Sequence, residues 1–222
     1  MKCQRRCDIL GNKEYSKTDF TNNYKGVRLY NMNVFDFDNT IYDGESTMDF
    51  FFFILKKKPH FIIYIPKVLR GFYRYKKGLS DLKEVETSVG EMISLFLKYQ
   101  DNADEVVKDF WAKHERKLKP YFLNKITDED MIISASPRLL LEGIIGKLGT
   151  DKLFCSEIDL EKGNITFFCF GENKAKFFKE KFAGTKIDEF YSDNMADRPM
   201  MELADKAFLV TGDKIEQLNF ND

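Results

Sequence analysis

The chain has 222 residues, 43% of them hydrophobic and 32% charged, with a formal net charge of −1. That length suits one medium domain, or one domain with a modest insertion, and the balance is globular, not disordered. The 13 glycines, 5 prolines and lack of a repeat period exclude collagen-like and low-complexity classes, and near-neutrality excludes a whole-protein basic surface.

Residues 1–31 are polar and patternless, with seven Lys/Arg and three acids, and read as an extension with little structure. An alternative expectation is that Met32 is the true start, because ordered pattern begins there. The four cysteines (Cys3, Cys7, Cys155 and Cys169) form no CxxC, so a reducing cytoplasm is the default. Cys3 and Cys7 read as a plain thiol pair and not as a metal site. Met1–Lys13 has no apolar signal-peptide core, and no run approaches the ~18 apolar residues of a spanning helix.

Val34–Asp38 reads as a strand that ends in acids. A helical region follows. Phe61, Ile62, Ile65, Val68, Leu69, Phe72 and Tyr73 recur at spacings of three and four, as one helix face does. Leu79 to Leu97 predicts a second amphipathic helix and Val106 to Leu118 a third, with Pro120 breaking the pattern. Met131–Ser134 then reads as a short buried strand and Pro137–Leu148 as a helix with Pro in its first turn. Leu153–Ile158 and Ile165–Phe170 read as strands joined by a hairpin turn at Glu161–Asn164. Lys174–Phe182 is predicted helical, Glu189–Ser192 a strand, Pro199–Ala204 helical and Ala207–Val210 a strand. Strand alternating with helix predicts a parallel α/β sheet covered on both faces. The helical segment at 47–119 interrupts that order as an insertion.

Four polar stretches sit where strands end, and in doubly wound α/β folds that is where the ligand crevice lies. Asp36-Phe37-Asp38-Asn39-Thr40 offers two acids at i and i+2. One suits a nucleophile toward phosphorus and the other a general acid and then base, although strand-end acids also cap and solvate. Ser134-Ala135-Ser136 offers a hydroxyl and free backbone N–H groups to a phosphoryl oxygen, or a helix cap. Lys174 lies in the first turn of a helix, where it opposes the dipole, so a phosphate partner explains it better than local stability does, although any one of the 35 Lys/Arg is more often simply solvated. Asp193 and Asp197 follow another apolar strand. Asp193 beside Asp36 is costly crowding that a hard cation such as Mg²⁺ relieves.

In order and in strand context these stretches resemble the four motifs of the haloacid dehalogenase-like (HAD) hydrolase superfamily, and they span Val34 to Val210. The resemblance implies a Rossmann-like parallel core at 32–46 and 120–222 with an inserted all-helical cap at 47–119. It also implies phosphatase chemistry through a phospho-aspartate. Asp36 is then the nucleophile and Asp38 the general acid/base. Ser134 and Ala135 bind the phosphoryl group, and Lys174 neutralises it. Asp36, Asp193 and the Asp38 carbonyl hold Mg²⁺, with Thr40, Asn194 and Asp197 in support. A helical cap after the first motif, and Ser192 to Met200, look like the phosphoserine phosphatase-type branch and its phosphatidylglycerophosphatase-like relatives. Glu45 matches that branch's acid for a substrate ammonium. However, no arginine lies in Leu79–Glu91 for a serine carboxylate, and the usual Ser-Gly-Gly is Ser-Ala-Ser here.

Phe50 to Lys77 carries eight Lys/Arg and no acid, beside Phe50–Phe53 and the apolar face of 61–73. An apolar face with a basic face fits either the packed core and solvated side of a cap, or peripheral contact with an anionic membrane. The expectation is therefore a Mg²⁺-dependent phosphomonoesterase acting on a small phosphorylated metabolite or a phosphorylated lipid. The alternatives are a phosphotransferase on the same site, or a non-catalytic membrane-surface or partner-binding module. No nucleic-acid ligand and no obligate protein partner is expected.

Overall fold

Alternation along the strands decides the architecture. The computed structural model describes residues 32–57, 59–64, 66, 70, 73, 74, 103–159 and 164–220. In β1 (Met32–Phe35), Met32 and Val34 face one apolar cluster and Phe35 the other. In β2 (Met131–Pro137), Met131 and Ile133 join the first cluster and Ile132 the second. A strand places successive side chains on opposite faces, so a sheet with apolar residues on both faces, such as Val34 and Phe35, is buried on both.

The helices supply the two covers. On one face lie α2 (Ala103–His114), α3 (Pro120–Lys125) and α4 (Arg138–Leu141), through Phe110, Trp111, Phe122 and Leu141. On the other lie α5 (Glu172–Lys181) and α6 (Arg198–Met201), through Ala175, Phe178, Met200 and Met201. The remaining strands are β3 (Leu153–Asp159), β4 (Asn164–Phe167), β5 (Ile187–Ser192), β6 (Ala204–Thr211) and β7 (Lys214–Leu218). Helix α1 (Ser46–Lys57) follows β1, and a 3₁₀ segment follows it at Pro59–Tyr64.

The seven strands run in the order β4-β3-β2-β1-β5-β6-β7. The five central strands are parallel, and β4 and β7 close the edges antiparallel. Strand order reverses at β1, where Val34 pairs with Met131 on one side and Phe190 on the other. The crevice of a doubly wound sheet opens at such a reversal, beyond the carboxyl ends of β1 and β5. The α/β Rossmann-like class expected from the sequence is the observed one.

Several elements differ in extent from expectation. Pro120 starts α3, because Pro at the first helical position lacks only an N–H that needs no partner there. The helix expected over Pro137–Leu148 stops at Leu141 and gives way to turns and a 3₁₀ segment at Ile145–Lys147. Gly143 accounts for the break. A Cβ there would lie 2.6 Å from Val107 Cγ1 and 2.8 Å from Trp111 Cδ1, so the chain passes α2 at a distance only glycine allows. Trp111 Nε1 fixes the contact by donating to Leu140 O at 2.7 Å. The helix expected over Pro199–Ala204 is the shorter α6, and Ala204 already opens β6.

Helix α2, at the end of the segment read as an insertion, packs against the loop after β1 and against α4. Trp111 meets Phe37 and Tyr42 edge to face at 6.1 and 5.7 Å. The extension at 1–31, the helix expected at Leu79–Leu97, most of that expected over Phe61–Tyr73 and the hairpin turn before Asn164 lie outside the described residues.

Candidate active site

The loop after β1 is built to hold its acids still. Asp36 N donates to Tyr191 O at 2.8 Å, so the β1–β5 ladder runs up to the first acid. The chain then turns back sharply: Ile41 N and Tyr42 N both donate to Phe37 O at 2.9 Å. Asn39 sits in the left-handed region at φ 55°, which Asn tolerates better than most residues. Lys119 pins the loop from below, with Nζ 2.8 Å from Asn39 O and 2.6 Å from Gly212 O.

Asp36, Lys174 and Asp197 form the buried centre. Lys174 Nζ, in the first turn of α5, lies 2.7 Å from Asp36 Oδ1 and 2.7 Å from Asp197 Oδ2. Ser192, the last residue of β5, donates through Oγ to Asp197 Oδ2 at 2.8 Å. All four side chains are buried. Burial drives the Asp36 carboxyl well above its usual range; Lys174 opposes this, and the charges of Asp197 and Asp193 add to it. Burial would lower the Lys174 ammonium, but Asp36 and Asp197 outweigh it and hold the group protonated.

Asp38 stands apart from that triad and is held by different partners. Ser46 N, at the start of α1, donates to Oδ1 at 2.6 Å, and Ser136 Oγ, at the end of β2, donates to Oδ2 at 2.6 Å. Burial raises the Asp38 carboxyl, and these hydrogen bonds partly offset the rise. Asp193 is half-buried. Its carboxyl is raised by burial against a hydrogen bond from Asn39 and is further raised by Asp197.

The other expected residues are distributed unevenly. Ser134 is fully buried, and its Oγ accepts from Ser136 N at 3.0 Å. The Ala135 carbonyl accepts from Ser156 Oγ. Thr40 is buried, and its Oγ1 has no hydrogen-bond partner among the described residues. Asn194 is exposed and uses Oδ1 to cap the turn at Ala196 N, 2.9 Å away, so it is not drawn into the acid cluster. Glu45 is exposed as a residue and its carboxyl accepts from Asn39 Nδ2 at 2.7 Å; partial loss of solvent around that carboxyl raises it, as do the nearby Asp38 and Asp193 charges.

Sequence reasoning missed Ser136, Ser46, Ser192 and Lys119. Ser136 lay in the quoted Ser134-Ala135-Ser136 stretch, but nothing in the sequence distinguishes which hydroxyl meets an acid. Among the described residues no three His, Cys, Asp or Glu side chains converge as a metal cage.

Residues 34–202 match the haloacid dehalogenase-like hydrolase family. The chain belongs to that family. It is a hydrolase by that membership, and the match spans all four polar stretches from Asp36 to Asp197. No curated protein matches the sequence. Among solved structures, a protein of unknown function from Bordetella pertussis Tohama I is similar, with TM-score 0.65 and 16% identity over 81% of this chain and 89% of that one. A phosphoserine phosphohydrolase-like protein from Francisella tularensis subsp. tularensis SCHU S4 is similar at TM-score 0.51 and 17% identity, over 80% and 86%. A phosphoserine phosphatase solved as a phospho-aspartyl intermediate analogue is similar at TM-score 0.51 and 16% identity, over 81% and 86%. At these identities the likeness is one of fold: this haloacid dehalogenase-like chain has the architecture of phosphoserine phosphatase.

Proposed function

We propose that the chain is a phosphomonoesterase that works through a phosphorylated Asp36. The observation that carries this reading is the buried ammonium of Lys174 shared by Asp36 and Asp197, with a second, separately held acid, Asp38, two residues after Asp36. Asp36 attacks phosphorus as the P–O ester bond breaks, and Asp38 gives its proton to the departing oxygen, which leaves as an alcohol. Asp38, now a carboxylate, takes a proton from water. That water bonds to phosphorus, and inorganic phosphate leaves Asp36 free. The raised Asp38 carboxyl suits the first step, because the proton must be present when the alkoxide forms.

Lys174 holds Asp36 and offsets charge on the incoming phosphoryl group, with Asp197 orienting the lysine. Ser134 and Ala135 receive phosphoryl oxygens, and Glu45 at the rim meets the rest of the substrate. The donor set fits a hard cation: Asp36 and Asp193 are carboxylates each raised by burial, and the Asp193 charge adds to the cost of ionising Asp36, a cost that a cation offsets. Asp36, Asp193 and the Asp38 carbonyl would hold Mg²⁺, which when bound supplies positive charge to the transferring phosphoryl group.

Phosphate release with and without Mg²⁺, for wild type and Asp36→Asn, tests the reading on phosphoserine, sugar phosphates, nucleotides and lipid phosphates. Mg²⁺-dependent release lost in the variant supports it. Transfer to an added alcohol in preference to water would favour a phosphotransferase.

A second observation bears on where the substrate is met. Among the described residues, four of the six exposed large apolar side chains (Phe52, Ile62, Ile63 and Tyr73) fall in the acid-free, lysine- and arginine-rich segment 50–77. That combination supports peripheral contact with anionic lipid and a phosphorylated lipid as substrate. No helix among the described residues is long and apolar enough to cross a membrane. Sedimentation with phosphatidylglycerol vesicles, lost in Ile62→Ser/Ile63→Ser, is the expected result; equal binding to neutral vesicles would overturn it.

A further inference from the structure

The second polar stretch reaches the site through an unexpected residue. Ser136 is 3% exposed, and its Oγ lies 2.6 Å from Asp38 Oδ2. The other Asp38 oxygen takes the Ser46 N–H at 2.6 Å. With a donor on each oxygen, the carboxyl plane is fixed and rotation about its terminal bond would break one contact or both. We propose that Ser136 is a positioning residue for the reaction: it holds the Asp38 carboxyl in the orientation from which the proton reaches the leaving oxygen. This inference rests on the phosphomonoesterase reading and deepens it.

The chemistry of the hydroxyl suits that role. Ser136 Oγ has one hydrogen and two lone pairs. It gives the hydrogen to Asp38 and stands 3.0 Å from Ser46 Oγ and 2.7 Å from Thr47 Oγ1, each able to donate to it. Ser136 and Ser46 N each use one lone-pair position of the Asp38 carboxyl, which leaves positions on the same two oxygens for a proton directed at the leaving oxygen while Ser136 goes on donating. The contact therefore persists before and after proton delivery. Ser46 and Thr47 open α1, so the same cluster ties the start of the helical segment to the acid.

The placement follows from a strand irregularity. The β2–β3 register shifts between Ser134 and Pro137, so simple alternation fails there. Ser134 is left buried with its oxygen accepting from Ser136 N, while Ser136 turns its side chain to Asp38.

The test compares two esters whose leaving groups need protonation to different degrees. Wild type, Ser136→Ala and Ser136→Thr are assayed on p-nitrophenyl phosphate and on glycerol 2-phosphate with Mg²⁺. A misplaced general acid harms the alkyl ester more, because the nitrophenolate leaves without a proton. Ser136→Ala is expected to lose about tenfold or more additional kcat/KM on the alkyl ester relative to the aryl one, and Ser136→Thr to recover most of that difference. Equal losses on both esters, or none, would overturn the inference. Should Ser136→Ala fold poorly, Ser136→Thr and Ser136→Cys against Asp38→Asn carry the test. In the Asp38→Asn background a change at Ser136 is expected to add nothing to the aryl–alkyl difference, and an added effect would overturn the inference. Wild type inert on both esters would instead overturn the phosphomonoesterase reading itself.

Discussion

The Lys174 ammonium is tied to Asp197 at 2.7 Å, and the same nitrogen reaches Asp36 at 2.7 Å. Two buried carboxylates therefore depend on one buried cation. Removing a member of such a set costs more than the set contributes, because the others stay buried and unpaired. Lys174→Met is expected to lower the free energy of unfolding by about 3–5 kcal/mol. The loss should also grow with pH. Asp36 has a folded-state pKa raised above its unfolded value, so the unfolded chain releases its proton first. Its stabilising share is present below the ordinary carboxylate range and declines as pH rises toward the folded value. Without Lys174 that gap widens. Urea unfolding at about pH 5 and pH 8 checks this, and a pH-independent loss would contradict it.

The Asp193 charge adds to the cost of ionising Asp36, a cost that a bound cation would offset. Asp193→Asn removes a hard-oxygen charge but keeps the side-chain shape. The Mg²⁺ concentration for half-maximal phosphate release is expected to rise about tenfold or more. The melting temperature without metal should stay level or rise slightly, since like-charge crowding is relieved. A magnesium titration with parallel thermal melts separates the two effects, and chelation with EDTA should abolish turnover in the wild type.

How far the sequence foretells this site depends on the local backbone. Asp36, Asp38 and Asp193 stood out only through the four strand-end stretches taken together, because a strand-end acid alone also caps or solvates. Lys174 left a partial signal, because a lysine at a helix start opposes the dipole but a solvated lysine can do so too. Ser136 was not legible, since the register shift after Ser134 decides which serine faces Asp38, and a backbone irregularity leaves no mark in residue types. Lys119 was hidden because its partners are carbonyl oxygens, which every residue has. The edge strand β7 was missed because its short, largely exposed run of charged residues lacks an apolar face long enough to read. The early stop of α4 was concealed because helical periodicity in Pro137–Leu148 continues past Gly143, while close packing on Trp111 ends the helix.

Asp49 joins α1 to the chain that enters α3. Its Oδ2 accepts from Tyr42 OH at 2.6 Å and Lys117 Nζ at 2.6 Å. Burial alone would raise the carboxyl, but the hydrogen bonds from Lys117 and Tyr42 win and hold it below its usual range. A depressed carboxyl contributes stability that is present above the ordinary carboxylate range and is lost as pH falls through the folded value. Asp49→Asn is therefore expected to melt lower than wild type at neutral pH, and the two melting curves should converge in acid. A constant difference down to about pH 3 would contradict the charged contact.

Gly143 tests whether α2 is part of the core. In the turn after α4, an added Cβ would lie 2.6 Å from Val107 Cγ1 and 2.8 Å from Trp111 Cδ1, both closer than real Cβ contacts run. Val107 and Trp111 are 3% and 2% exposed, so neither has open space to retreat into. Moving the indole would also stretch its 2.7 Å hydrogen bond to Leu140 O. Overpacking of this kind costs about 1–3 kcal/mol. Gly143→Ala should lower the urea midpoint without changing the slope of the transition, because the surface exposed on unfolding is unchanged. Gly146→Ala, three residues on with nothing within 4 Å of its added Cβ, is the control expected to be near neutral. If both variants unfold at the wild-type midpoint, the contact between α2 and the α4 turn is looser than these distances state, and α2 belongs with the inserted segment instead of the sheet.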